Sequence, residues 1–217
     1  MIRPEDPSVF ERLEPRGQGR REMFDRRVDT WITIRPYLFR ATFADGLRIE
    51  VQVNPEFGSA AEAQAEAMMY MHAVGQLPTV LRKRVKTIWI HRGNYDLGGG
   101  NDNILIHTDR AREFIRARNF EEALFHEGTH TSIDPRYKNN RAWRRAQAAD
   151  PEFISEYGRD HPDREDLAET GLMVYALLHH PERLSARGRS IIETAIPNRI
   201  EFFRQFFPEG ESIFKRR

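Results

Sequence analysis

At 217 residues the chain is long enough for one sizeable domain or two small lobes. Its 34 basic and 33 acidic residues nearly cancel, which argues against nucleic-acid binding as its main work. Cysteine is absent, which excludes disulfides and thiolate metal sites, and no apolar run approaches the roughly 20 residues that span a bilayer.

Residues 1–27 are rich in proline and charge, with little apolar periodicity. They are expected to form an extended N-terminal arm. No signal peptide is visible there, so a soluble protein is expected and its compartment stays open. A secreted or periplasmic location would require a signal removed ahead of this chain.

Residues 31–53 read as β structure. Tyr37–Phe43 and Leu47–Val53 flank Asp45-Gly46, a hairpin turn signal. The second run alternates apolar and polar, as a strand with one wet face does. Residues 60–74 are Ala-rich and read as a helix, with Met68, Met69 and Met71 expected in the core and His72 structural. Val85–His91 reads as a buried strand. Asn94–Asn103, with Gly98-Gly99-Gly100, reads as a flexible loop. It lacks both the G-K-[ST] ending and the G-x-G-x-x-G spacing of phosphate loops. Asn103–His107 reads as a short strand, the last before the central helix. Such a strand can border a cleft and pair with an extended peptide, with His107 facing either that cleft or solvent.

The helix that follows carries the chemistry. His126-Glu127-Gly128-Thr129-His130 reads H-E-x-x-H. Residues four apart share one helical face, so the two imidazoles can converge on one ion. Glu127 can then take a proton from water beside that ion. Asn119 and Glu122 have the spacing of a capping box, and Asp134-Pro135 stops the helix. Gly128 costs about 1 kcal/mol in a helix, which implies room for a close neighbour or for the metal. The bland alternative is a surface helix with two solvated histidines.

A catalytic zinc site needs a third protein ligand. The class with a third His six residues after the second is excluded, because Ile133 and Arg136 stand where its Gly and His would be. A Glu from a later helix is the other route. A helix from Asp163 to about His179, opened by Pro162, puts Glu165 and Glu169 one turn apart on one face. Glu165 is assigned as the third ligand. Glu169 is assigned as the acceptor that fixes the tautomer of a ligand histidine, His126. Two solvated acids at a helix N-terminus are the alternative. Between the two helices, Lys138, Arg141, Arg144 and Arg145 surround Trp143, either a basic patch or a solvated helix with one aromatic anchor. Beyond Pro197, the stripe Ile200, Phe203, Phe206 and Phe207 reads as core.

Tyr157-Gly158-Arg159, Glu165-Asp166-Leu167-Ala168-Glu169 and His179–Leu184 (H-H-P-E-R-L) together resemble the catalytic domain of anthrax lethal factor, a gluzincin metallopeptidase family. The resemblance spans roughly residues 85–207 and is strongest over 120–184. The chain departs from the family at Asp166-Leu167, where aromatics are usual, and in a shorter gap between His130 and Glu165. The resemblance implies an α+β, zincin-like metallopeptidase fold: a small mixed β-sheet, an active-site helix and a C-terminal helical lobe. It implies a single catalytic domain over 28–217, with the sheet lobe at 28–135 and the helical lobe at 136–217. It also implies Zn2+ as cofactor, a peptide or protein substrate, and Tyr157 as a donor to the developing oxyanion. A catalytically silent zinc-binding regulatory or interaction module of the same fold is the alternative. The base Glu127 argues against it, since zinc binding alone needs no Glu there.

Overall fold

The computed structural model of the chain describes residues 1–215. Eight strands and ten α-helices are found among the described residues, in a mixed α+β arrangement. The strands are β1 (Phe10–Gln18), β2 (Arg21–Asp25), β3 (Thr30–Ile34), β4 (Tyr37–Phe43), β5 (Arg48–Val53), β6 (Thr87–His91), β7 (Gly98–Gly100) and β8 (Asn103–His107). Six of them form one sheet in the order β1-β4-β5-β6-β8-β7. Its centre, β5-β6-β8, is parallel; β1, β4 and β7 run antiparallel to their neighbours.

The hairpin expected at Asp45-Gly46 forms, with Tyr37 opposite Val53 and Thr42 opposite Arg48. Gly46 takes a φ of 89°, which a side chain would resist, and the Phe43 N–H donates to the Leu47 carbonyl at 3.1 Å. The parallel strands are buried almost throughout, as their β-branched and aromatic residues require.

The N-terminal segment is not a free arm. β1 is an edge strand of the main sheet, with Leu13 opposite Ala41 and Pro15 opposite Phe39. An edge strand tolerates proline and keeps its wet face charged, which explains why its sequence lacks apolar periodicity. Gly75 makes the docking possible, because a Cβ there would lie 2.6 Å from the Phe10 nitrogen. The β2–β3 hairpin covers the opposite sheet face, where Met23 packs on Trp89 and Leu105.

The helices are α1 (Ala60–Gln76), α2 (Thr79–Arg82), α3 (Thr108–Ala117), α4 (Phe120–Ser132), α5 (Asp134–Tyr137), α6 (Arg141–Ala149), α7 (Glu156–Asp160), α8 (Asp166–His179), α9 (Ala186–Ala195) and α10 (Pro197–Phe203). Among the α1 methionines only Met71 is core; Met68 and Met69 are 44% and 48% exposed, because they fall on the outer helical face. α4 lies between the sheet and the C-terminal helices. Phe125 on α4 meets Tyr175 on α8 at 5.1 Å and Phe207 at 5.7 Å, so one apolar cluster runs through both halves. Trp143 on α6 is buried against Phe202 and Phe203, as an anchor for an otherwise basic helix. No helix among the described residues is long and apolar enough to cross a membrane.

Candidate metal centre and cleft

α4 presents His126 and His130 on one face, one turn apart. Their Nε2 atoms lie 2.9 Å from each other. Glu165 closes the triangle, with Oε2 at 3.3 Å from His126 Nε2 and 3.2 Å from His130 Nε2. These three residues are brought together as a group able to hold a metal ion. Zinc takes tetrahedral bonds of about 2.0–2.1 Å to such ligands, which separates neighbouring ligand atoms by about 3.3 Å. The donor set fits that requirement, and both Glu165 separations match it, while the two Nε2 atoms sit closer together at 2.9 Å.

The far side of each imidazole is also held. His126 Nδ1 lies 3.2 Å from Glu169 Oε1, and His130 Nδ1 lies 2.7 Å from Asp134 Oδ2. A carboxylate accepts the Nδ1 proton, which leaves the Nε2 lone pair facing the shared point. Glu169 stands where the sequence reading put it. Asp134 was read only as part of a helix stop. Its position four residues after His130, on the same face, is the signal that could have found it.

Burial alone would push both imidazoles toward neutrality. The carboxylates outweigh it: Glu165 and Glu169 hold His126 up at about 9, and Asp134 and Glu165 hold His130 up at about 10. Hydrogen bonds from His126 and His130 draw Glu165 far below the usual carboxylate range. The cluster is therefore a strongly coupled set of positive and negative groups, of the kind a cation reorganises.

Glu165 is the N-cap of α8 and lies outside its first turn; the helix begins three residues later than expected. The Glu165 N–H donates to the His161 carbonyl at 2.9 Å, so the turn before α8 leads directly into this position. The next residue anchors it. Asp166 is fully buried and accepts from Arg199 Nη1 at 2.7 and 2.8 Å and from Gln147 at 2.8 Å. Arg199, equally buried, also donates to Asp150 at 2.8 Å. Glu165 is thus fastened to α6 and α10 through its neighbour.

Glu127 lines the same cavity, and burial pushes its carboxyl up while His126, His130 and Arg26 pull it down. Gly128 faces away from the metal centre. A Cβ there would lie 3.3 Å from Leu81 Cβ, so its smallness makes room for α2. The expected capping box does not form. The Asn119 side chain makes no cap bond, and Glu122 instead pairs with the Met1 ammonium. A distant partner displaces the local one.

The glycine triplet is an ordered edge strand. A Cβ on Gly99 would lie 2.1 Å from the Glu127 carbonyl oxygen, and the Gly100 N–H donates to Thr131 Oγ1 at 2.9 Å. β7 is therefore pressed onto the backbone of α4, and only glycine permits that approach. This corrects two expectations. β8 has β6 on one side and β7 on the other, so β7 carries the strand edge beside the cleft. His107 faces neither cleft nor solvent; it is buried, stacked on His91 at 5.8 Å.

Tyr157 lies on α7, whose N-terminus Ser155 caps through a 2.9 Å bond from the Gly158 N–H. Its ring is half exposed, lines the cavity and meets His161 at 5.0 Å. Burial and the negative charge of the Glu165 carboxylate push the phenol up and keep it protonated. The cavity has a volume of about 870 Å³ and joins β7, α4, α7 and the start of α8. Arg26, from the segment read as an arm, also lines it, and no local sequence signal marked it. No family model, curated protein or solved structure matches this chain.

Proposed function

We propose that the chain is a zinc-dependent peptide-bond hydrolase of zincin-like fold and gluzincin type, endopeptidase-like in its open cleft. One observation carries this reading: His126, His130 and Glu165 converge on one point while Glu127, on the same helical turn, is left free on the cleft side. A binding module has no use for that fourth group.

His126, His130 and Glu165 would hold the ion, with Glu169 and Asp134 keeping both imidazoles oriented. Zinc bound there supplies Lewis acidity for the scissile carbonyl and for the attacking water. The remaining steps belong to the chain. Glu127 takes the proton from that water, and its raised proton affinity suits the task. It then delivers the proton to the leaving amine. The Tyr157 hydroxyl donates to the carbonyl oxygen as negative charge develops on it. The outer edge of β7 accepts an extended peptide as a further strand, which aligns the scissile bond along α4.

The test is metal content and turnover together. Wild-type protein is expected to carry about one zinc per chain and to cut an internally quenched peptide library. Glu127→Gln is expected to keep the zinc and the fold and to lose turnover. A fully active Glu127→Gln protein, or zinc retained by a His126→Ala/His130→Ala double variant, would overturn the proposal.

A further inference from the structure

The charged groups around the cleft are unequally committed. On the acidic side, Asp96 pairs with Arg110, Glu122 with the Met1 ammonium and Asp134 with His130. Glu165 and Glu169 are occupied by the histidines. Glu127, assigned above as the base, is the one cleft carboxylate without an ion-pair partner among the described residues. The cations differ. Arg164 reaches Glu165, but Arg26 and Lys138 have no carboxylate within 4.0 Å among the described residues.

Arg26 is also held in place. Its Nη1 donates to the carbonyls of Asp96 and Leu97 at 3.2 and 3.0 Å. Its Nη2 lies beside Gly98, so close that a Cβ there would approach it to 2.8 Å. The guanidinium therefore rests against the start of β7, where an added strand would pass. Half of its planar fork is used to fix it; the other half is free. A fixed guanidinium with an unused edge is a receptor for a carboxylate, because the two planar groups match.

We propose that Arg26, with Lys138 as a second cation on the same cleft, selects peptides that carry a carboxylate within a few residues of the bond to be cut. This inference rests on the peptide-hydrolase reading for the meaning of the cleft. The carboxylate comes either from an Asp or Glu side chain or from a peptide C-terminus, and the experiment separates the two.

The experiment uses the zinc-loaded full chain carrying Glu127→Gln, so that binding is read without turnover. Fluorescein-labelled decapeptides of Ala, Ser, Leu and Gln are titrated by fluorescence polarisation. One set is C-terminally amidated and moves a single Glu through the ten positions; its reference has Gln throughout. A second pair differs only in a free or amidated C-terminus. At low ionic strength, the best Glu peptide or the free-acid peptide is expected to bind at least 10-fold more tightly than its neutral twin, and the gap should narrow with salt. The first result assigns an acidic side chain, the second a terminal carboxylate. Arg26→Gln should reduce the gap to under threefold, and Arg26→Lys should restore part of it. Melting temperature and zinc content are read for each variant, since Arg26 also braces the loop before β7. If Arg26→Gln does not fold, the acid and neutral twins on Arg26-containing protein decide, with Lys138→Gln as the second variant. Equal affinity for acid and neutral twins overturns the proposal, as does a gap that Arg26→Gln and Lys138→Gln both leave untouched. Turnover by wild-type protein is scored separately. A wild-type chain that cuts nothing yet discriminates the twins would sink the hydrolase reading and keep the carboxylate receptor.

Discussion

Asp134 Oδ2 lies 2.7 Å from His130 Nδ1, one helical turn beyond the imidazole it orients. The proline that follows ends α4, so the aspartate sits in the first turn of α5 and its position does not depend on a long side chain finding the histidine. Replacing it by alanine should weaken zinc binding by roughly 10–100-fold, as loss of such partners typically does. Glu169→Ala, acting on His126, should cost a similar or smaller factor, because its bond is longer, at 3.2 Å. Chelator competition measures both. Unchanged affinity in the Asp134 variant would mean that the α4 geometry alone orients His130.

Tyr157→Phe tests the proposed oxyanion donor. Loss of one such donor costs about 2.7–4 kcal/mol of transition-state stabilisation, which lowers kcat by 10²–10³-fold. KM and melting temperature should move little, because the half-exposed ring stays where it is. An unchanged kcat would remove the phenol from the reaction.

Gly99→Ala should separate β7 from α4. The added methyl would meet the Glu127 carbonyl oxygen at 2.1 Å, a backbone atom that cannot rotate away. Forced overpacking of this kind typically costs about 1–3 kcal/mol. The melting temperature should fall, and activity should fall further, since Glu127 and the strand edge are displaced together. Gly100→Ala is the comparison. It strains a backbone at φ 131° but meets no atom within 4 Å, so it should spare the contact between β7 and α4.

The metal-free protein should lose stability on the alkaline side. His126 and His130 are held up at about 9 and about 10, above the ordinary imidazole value near 6.5. Groups whose proton affinity rises on folding stabilise fully below their unfolded pKa, and that contribution fades as pH climbs through the folded values. Glu165, drawn down on folding, contributes above about 4.5 and fades as the solution becomes more acidic. The metal-free melting temperature should therefore be highest from about pH 5 to 6.5 and decline toward pH 10. Zinc needs the Nε2 atoms unprotonated, so its stabilising effect should grow with pH over the same interval. Thermal melts with chelator and with zinc, run across pH 4–10, check both slopes. A metal-free protein whose stability is flat from pH 6 to 10 would contradict this coupling.

Elements written in local periodicity were readable before the fold was known. The hairpin around Gly46 and the spacing of His126, Glu127 and His130 needed only strand and helix geometry. Glu165 followed from the ligand count and Glu169 from its place one turn on. Elements defined by a distant partner were not readable. β7 has no side chains to pattern, and its strand exists because Gly98-Gly99-Gly100 can lie on α4. β1 shows charge and proline because it is an edge. Glu122 has the spacing of a cap but finds an ammonium far along the chain instead. Arg26 reaches the cleft only because the β2–β3 hairpin folds over the sheet.

Asp6 and Arg183 form a two-pronged ion pair, with Arg183 Nη2 at 2.7 Å from Asp6 Oδ1, across a separation of 177 residues. Closing so long a loop is entropically slow to achieve, and contacts of this range delay folding. Gln76 on α1 holds the carbonyls of Arg3, Pro4 and Asp6, so these residues can settle early, but the pair itself can close only after the helices beyond the histidine cluster have assembled. In a hydrogen-exchange pulse during refolding, the Asp6 amide, which donates to the Arg3 carbonyl at 3.0 Å, is expected to gain protection no earlier than the amides of α8.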